Sequence, residues 1–386
     1  MPTISEQILS RLQDLFPNGA ALHEPLFEGN EWQYVKECID THWVSSVGKF
    51  VDRFEQDLAD FTGAKRAIAT VNGTSALHLA LILSGVKSED EVLVPAMTFV
   101  ATANAVSYCG ANPHFIDISR NTLGVDSDKL DDYLAEIAEI RNDGLTWNKN
   151  TNKRIIACVP MHTFGHPVDM DSLNRVCEKW NIIIVEDAAE SLGSFYKGKH
   201  TGLFGKLGVF SFNGNKIITS GGGGAIITND EELAVRAKHL STTAKTSNAW
   251  EFVHDEIGYN YRLPNINAAL ACAQLEAVPL YLKLKRHLAK KYQEIFQDLE
   301  GISIFSEPSD CSSNYWLNVL LVNKENIEYK EEILSVTNMN KIMTRPVWKL
   351  MSDLNMYKHC PSMELEISKE MESRIICLPS GVILGK

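Results

Sequence analysis

The sequence predicts an α/β fold, with a mainly parallel sheet in a large domain and a smaller α+β domain after it. From residue 66 onward, short apolar runs alternate with stretches of helical spacing. Those runs are almost continuously apolar instead of alternating with polar residues, as strands buried on both faces are. After Tyr259 the pattern changes to long helices and short strands. The expected division is 1–257 for the large domain and 258–386 for the small one, with the N-terminal helices able to pack on the small domain.

Residues 4–16 have helical spacing, with Ile4, Ile8, Leu9, Leu12 and Phe16 apolar, and Pro17-Asn18-Gly19 ends the helix. A second helix is expected over 30–41 with Asn30 as its cap. A third places Phe50, Phe54, Leu58 and Phe61 on one side. Strands are then expected at 67–71, 91–94, 113–118, 155–160, 182–186, 208–212 and 224–228. Helices lie between them at 76–84, 98–109 and 128–140. The polar stretch 141–153, rich in Asn and Lys, reads as a surface loop. One long helix, or two, fills 264–299 with a bend at Pro279. Its basic run KLKRHLAKK reads as a solvated face. Strands at 302–305 and 316–322, a helix at 368–374 and a strand at 375–378 complete the chain.

The composition is that of an ordinary globular protein: 386 residues, 45% hydrophobic and 22% charged. A net charge of −12 disfavours nonspecific nucleic-acid binding, so an anionic ligand needs local cations or helix N-termini. Eight scattered cysteines with no C-x-x-C pair point to reduced thiols and a cytoplasmic setting. The N-terminus lacks the apolar centre of a signal peptide, and no apolar run reaches the ~20 residues of a membrane span.

Four stretches carry chemistry. Asn72-Gly73-Thr74-Ser75 sits between a strand and a helix, where backbone N–H groups and hydroxyls suit a phosphate or simply cap the helix. Phe99 follows a strand, in position to cover a planar ring or to enter the core. Glu186 and Asp187 end a buried strand, where an acid needs a cation or serves as a helix cap. Ser211 and Lys216 follow another apolar strand through an Asn-Gly turn, which suits a desolvated nucleophilic amine as well as a surface turn. An acid and a lysine converging this way suggest pyridoxal 5'-phosphate, with Lys216 as its Schiff base and Asp187 on the ring nitrogen. Other chemistries are disfavoured. Gly165 and Pro167 prevent a helical His162–His166 metal pair, the glycines 221–224 lack a P-loop lysine, and no G-x-S-x-G elbow is present.

These elements, in this order and with Lys216 twenty-nine residues after Asp187, resemble the DegT/DnrJ/EryC1/StrS sugar aminotransferase family. The resemblance rests on NGTSALHLAL, VLVPAMTFVATANAV, HTFGHPVDMDSL, VEDAAESLGSFYKGKHTGLFG, FSFNGNKIITSGGGGAIITND and IGYNYRLPNINAALACAQLE. It implies the pyridoxal phosphate-dependent transferase fold of type I, like aspartate aminotransferase, and a cytoplasmic homodimer with shared sites. It also implies Lys216 as the catalytic residue, with Asp187 on the pyridine nitrogen and Phe99 over the ring. Thr74, Ser75 and Ser211 would hold the phosphate, and Asn260 would reach it from the neighbouring subunit. Glu190 stands where relatives often carry Gln or His, and SFNGNK departs from the commoner Pro-Thr or Ala-Thr before the lysine. A lysine at 216, where the family's dehydratases have histidine, implies transamination from L-glutamate. The implied acceptor is a nucleotide sugar, a UDP-4-keto-6-deoxy-N-acetylhexosamine aminated at C4 for surface glycan synthesis. A GDP-4-keto-6-deoxymannose of the perosamine type is the alternative. Lys49, Arg53, Arg262 and Arg345 are the candidate cations for its diphosphate.

Overall fold

The computed structural model describes residues 2–246 and 250–386. Helix α1 (Ile4–Leu15) is fixed at its start by a capping box between Thr3 and Glu6. Helices α2 (Glu31–Asp40) and α3 (Lys49–Thr62) follow. Asn30 does not cap α2: its amide reaches Glu276 Oε2 at 2.8 Å, while Glu31 Oε2 accepts from the Gly29 N–H. Donating to Glu276 turns the Asn30 side chain away from the helix end.

The main sheet takes seven strands: β1 (Arg66–Thr70), β2 (Glu91–Pro95), β3 (Asn112–Ile116), β4 (Ile155–Cys158), β5 (Ile183–Asp187), β6 (Leu207–Ser211) and β7 (Gly224–Thr228). Their order across the sheet is β1-β7-β6-β5-β4-β2-β3, and β7 alone runs against the others. Helices α4 (Gly73–Leu83), α5 (Val100–Tyr108), α6 (Ser127–Ile137), α7 (Met170–Lys179) and α8 (Glu231–Ser241) are interspersed along it. The strands are buried along nearly their whole length, as their apolar runs require. The C-terminal ends of β1, β2, β5 and β6 lie along one sheet edge, which in parallel sheets is where ligands bind.

The stretch 141–153 is not a loose loop. Ala138–Ile140 and Thr146–Asn148 pair as a hairpin. Its polar residues serve a buried acid: Glu91 accepts from Asn148 Nδ2 at 2.9 Å and Thr151 Oγ1 at 2.5 Å, beside His114 Nδ1 at 2.9 Å. The residues that look solvated are the partners that make burying Glu91 tolerable.

Helix α9 (Asn265–Phe296) is one unbroken element containing Pro279. Before the proline it packs with α2 and α3, burying Ala268, Ala271, Cys272 and Leu275 against Phe50, Phe54 and Leu58. Beyond it, Leu288, Tyr292 and Phe296 join a second core with Ile8 and Leu12 of α1. The KLKRHLAKK run is only partly solvated. Lys283 and Lys290 are exposed, but Arg286 grips Glu307 through two 2.7 Å contacts and Lys285 points into the interior. The chain then forms β8 (Ile302–Ile304), β9 (Asn318–Val322), α10 (Lys330–Met339), β10 (Arg345–Pro346), α11 (Glu366–Arg374) and β11 (Ile375–Leu378). A second sheet of order β8-β9-β11-β10 closes this part. None of the described helices is long and apolar enough to cross a membrane.

Candidate active site

Strand alternation separates the two acids at the end of β5. Glu186 accepts from the N–H groups of Gly202, Phe204 and Gly205 at 2.5–2.7 Å and faces His162 Nε2 at 3.0 Å. Its carboxylate is fully committed to structure. Asp187 lies on the other face and lines a cavity of about 260 Å³. Its Oδ2 accepts from Thr102 Oγ1 at 2.7 Å and its Oδ1 from the Ala189 N–H at 3.1 Å. Burial pushes the Asp187 acid above its ordinary range, against these two donors and the charge of Lys216.

Lys216 enters from the turn after β6, where its N–H donates to the Asn213 carbonyl at 3.0 Å. The Nζ lies 3.3 Å from Glu190 Oε1 and 4.1 Å from the centre of the Trp316 ring. Glu190 Oε2 accepts from the Phe164 N–H at 2.9 Å. Burial raises the Glu190 acid to about 7, although Lys216 pulls it down. Two buried acids thus share one nearby lysine, and both are short of positive charge.

Helix α4 begins at the same cavity. Asn72 caps it, its Oδ1 accepting from the Ser75 N–H at 2.7 Å. Gly73, Thr74 and Ser211 line the wall, and a Cβ on Gly73 would lie 2.8 Å from that of Ser211. The glycine therefore lets the helix start approach the end of β6 closely. Ser75 gives its N–H to the cap, and its side chain is not part of the wall. Phe99 immediately precedes α5, is half exposed, lines the cavity and meets Trp348 edge-on at 6.3 Å.

The residues fit pyridoxal phosphate. A helix N-terminus with Thr74 and Ser211 suits its phosphate, and a deficit of positive charge at Asp187 suits a protonated ring nitrogen. Lys216 is within the same cavity for covalent attachment, with Phe99 on its wall.

The other expected residues are dispersed. Asn260 is exposed, accepts from Arg262 Nε at 3.0 Å and Nη2 at 2.8 Å, and does not line this protomer's cavity. Arg53 pairs with Asp57 and Glu276, and Lys49 with Glu37. The protomer brings neither to the site. Arg345 lines a second cavity of about 530 Å³, which shares Asn215, Trp316 and Trp348 with the first. Thr102, Trp316 and Trp348 escaped the reading from sequence. Thr102 stands three positions after Phe99, one helical turn on, a spacing that could have flagged it. The two tryptophans belong to the C-terminal part and carry no local motif.

The family model described as "DegT/DnrJ/EryC1/StrS aminotransferase family" matches residues 26–386. The chain is 36% identical over 360 residues to GDP-perosamine synthase of Escherichia coli O157:H7, covering 93% of this chain and 92% of the relative. It is 35% identical over 347 residues to GDP-perosamine synthase of Caulobacter vibrioides, covering 89% and 88%. Among solved structures, Helicobacter pylori PseC, an aminotransferase involved in the biosynthesis of pseudoaminic acid, superposes with a TM-score of 0.84 at 26% identity, covering 94% of each chain.

Proposed function

The chain belongs to the DegT/DnrJ/EryC1/StrS aminotransferase family, is a sugar aminotransferase and uses pyridoxal 5'-phosphate; on that premise we propose that it moves an amino group from L-glutamate to the C4 ketone of GDP-4-keto-6-deoxymannose. The observation that carries the choice of nucleotide is the similarity to two GDP-perosamine synthases over most of both lengths. It reverses the order expected from the sequence motifs, which put a UDP-4-keto-6-deoxy-N-acetylhexosamine first.

When bound, the cofactor supplies a carbonyl carbon that receives the amino group and a cationic ring that delocalises the electron pair left on deprotonation. The protein's own groups do the rest. Asp187, oriented by Thr102 and Ala189, would pair with the protonated ring nitrogen. Lys216 would hold the group covalently and, once the donor's amine has displaced its Nζ, would move a proton at that freed amine. Glu190, its acid raised to about 7 by burial, accepts from the Lys216 Nζ at 3.3 Å and would hold that amine in place. Thr74, Ser211 and the N–H groups opening α4 bind the phosphate. Phe99, Trp316 and Trp348 form the aromatic wall of the cavity.

The active form we propose is a homodimer. Asn260 is exposed and outside its own protomer's cavity, which suits a residue serving the neighbour's phosphate. Incubating the enzyme with glutamate and a panel of GDP-, UDP- and dTDP-4-keto sugars tests the substrate. We expect 2-oxoglutarate and a 4-amino sugar only with the GDP compound. Turnover confined to the UDP-N-acetyl sugar would restore the other substrate and refute this one.

A further inference from the structure

One buried cation has no part in the chemistry above. Lys285, on α9, is 1% exposed. Its Nζ has the Ser380 carbonyl at 2.6 Å, His23 Nε2 at 3.0 Å and the Trp316 carbonyl at 3.1 Å. A lysine this deep usually has a carboxylate, and these three neighbours include none. An ammonium donates three hydrogens, which these three acceptors take up. His23 Nε2 then accepts, and the ring proton resides on Nδ1. A neutral amine would reverse the roles and leave Nδ1 as an acceptor. In both states Nδ1 is the ring atom left over.

That atom is buried and has no hydrogen-bond partner among the described residues. Burial, then the charges of Lys285 and Lys216, hold His23 well below its ordinary value, so the ring is neutral. A buried polar atom without a partner is unfavourable unless a ligand supplies one. His23 lines the cavity of about 530 Å³ that adjoins the cofactor cavity through Trp316. The same cavity is walled by Phe164 and Trp348, stacked at 5.3 Å, and receives Arg345. Arg345 is anchored through Nη1 alone, to Asn338 Oδ1 and the Thr344 carbonyl. The partly exposed Trp348 ring, backed by Phe164, suits the C–H side of a pyranose, while a neutral imidazole and a guanidinium suit hydroxyl and phosphate oxygens. The Trp316 ring that bounds this space also lies over the Lys216 amine.

We propose that His23 Nδ1 is a hydrogen-bond partner of the sugar of the acceptor substrate, seated in this second cavity, and that Lys285 is the positioning residue that fixes the ring. This rests on the function proposed above. Holoenzyme is assayed with GDP-4-keto-6-deoxymannose as probe, and the glutamate half-reaction is followed separately through the cofactor's absorbance. His23→Gln keeps a polar group toward Lys285 and has none at Nδ1; His23→Asn does the reverse. Expected for His23→Gln is a rise of about tenfold in KM for the probe. Its glutamate half-reaction and melting temperature should stay near wild type. His23→Asn, which keeps the group at Nδ1 but loses the bond to Lys285, should give a smaller rise than His23→Gln. Lys285→Met, which frees the ring, should give the same selective rise. An unchanged KM in His23→Gln overturns the assignment, as does an equal rise in the Gln and Asn variants, which marks a ring needed only for packing. An unchanged KM in Lys285→Met removes the lysine's role. A wild type that completes the glutamate half-reaction yet aminates neither this probe nor its UDP counterpart overturns the proposed function and this assignment together. The earlier outcomes leave that function standing.

Discussion

Thr102→Val removes a single hydroxyl from the site while keeping the size and branching of the side chain. The hydroxyl donates to Asp187 Oδ2 at 2.7 Å, one of two donors on that buried acid. A hydrogen bond to an ionised acceptor contributes about 1.5–3 kcal/mol. Its loss favours the neutral acid, so an acid already raised by burial rises further. A neutral Asp187 is a poor partner for a protonated ring nitrogen. The expected loss is therefore about 10- to 150-fold, at 1.4 kcal/mol per factor of ten, in cofactor affinity and in the glutamate half-reaction together. Thr98, the hydroxyl's other contact, keeps Met161, so packing is little disturbed. Affinity is read by titrating cofactor-free protein with pyridoxal phosphate and following fluorescence. The rate is read by stopped-flow absorbance with glutamate. Thr102→Ser, which keeps the hydroxyl, should stay near wild type. If Thr102→Val matches wild type in both measurements, Asp187 is not the acid that faces the ring nitrogen, or Thr102 does not orient it.

Glu190→Gln should change the pH dependence of stability. The buried acid titrates near 7 in the folded chain and near 4.5 in the unfolded one. The native state therefore binds more protons between these values, and its stability falls as pH rises through that window. In cofactor-free protein, the melting temperature of Glu190→Gln should gain on wild type from pH 4.5 to 7 and hold a constant lead above; parallel curves would mean Glu190 stays ionised. Gly73→Ala brings a Cβ within 2.8 Å of the Ser211 Cβ. Such overpacking costs about 1–3 kcal/mol, so chemical denaturation should show a loss of that order and cofactor titration a weaker phosphate site. Unchanged values in both would mean the helix start moves aside freely. Mixing inactive Lys216→Ala with inactive Asn260→Ala should restore part of the activity through mixed dimers, each with one intact site. Absence of recovery in verified mixed dimers would place Asn260 outside the partner's site.

Much of this was legible because the motif residues sit beside strand ends. Asn72, Phe99, Asp187, Ser211 and Lys216 each follow an apolar run, and a parallel sheet gathers such ends on one edge. Asp187 was preferred to Glu186 from the sequence, and the pleat supplies the physical reason, since adjacent residues face opposite sides. Thr102, Trp316 and Trp348 were hidden because their roles come from packing across segments far apart in the chain. The stretch 141–153 was misjudged for a related reason: composition cannot tell a solvated Asn from one bonded to a buried acid such as Glu91. Lys285 was taken for solvent-facing because a basic run gives no sign of which member turns inward. The substrate cations Lys49 and Arg53 were chosen by charge alone, and their nearest acids claim them.

Helix α9 also bears on when the enzyme can come into being. The cofactor cavity draws on Asn72 near one end of the chain and on Trp348 near the other, with Trp316 held from beneath by Lys285. During synthesis the sheet, the acid and the lysine leave the ribosome well before the tryptophans do. Until they emerge, a nascent chain lacks the two tryptophans that wall the cavity. The completed cavity therefore requires the last third of the chain, which supplies a wall that the first two thirds cannot make.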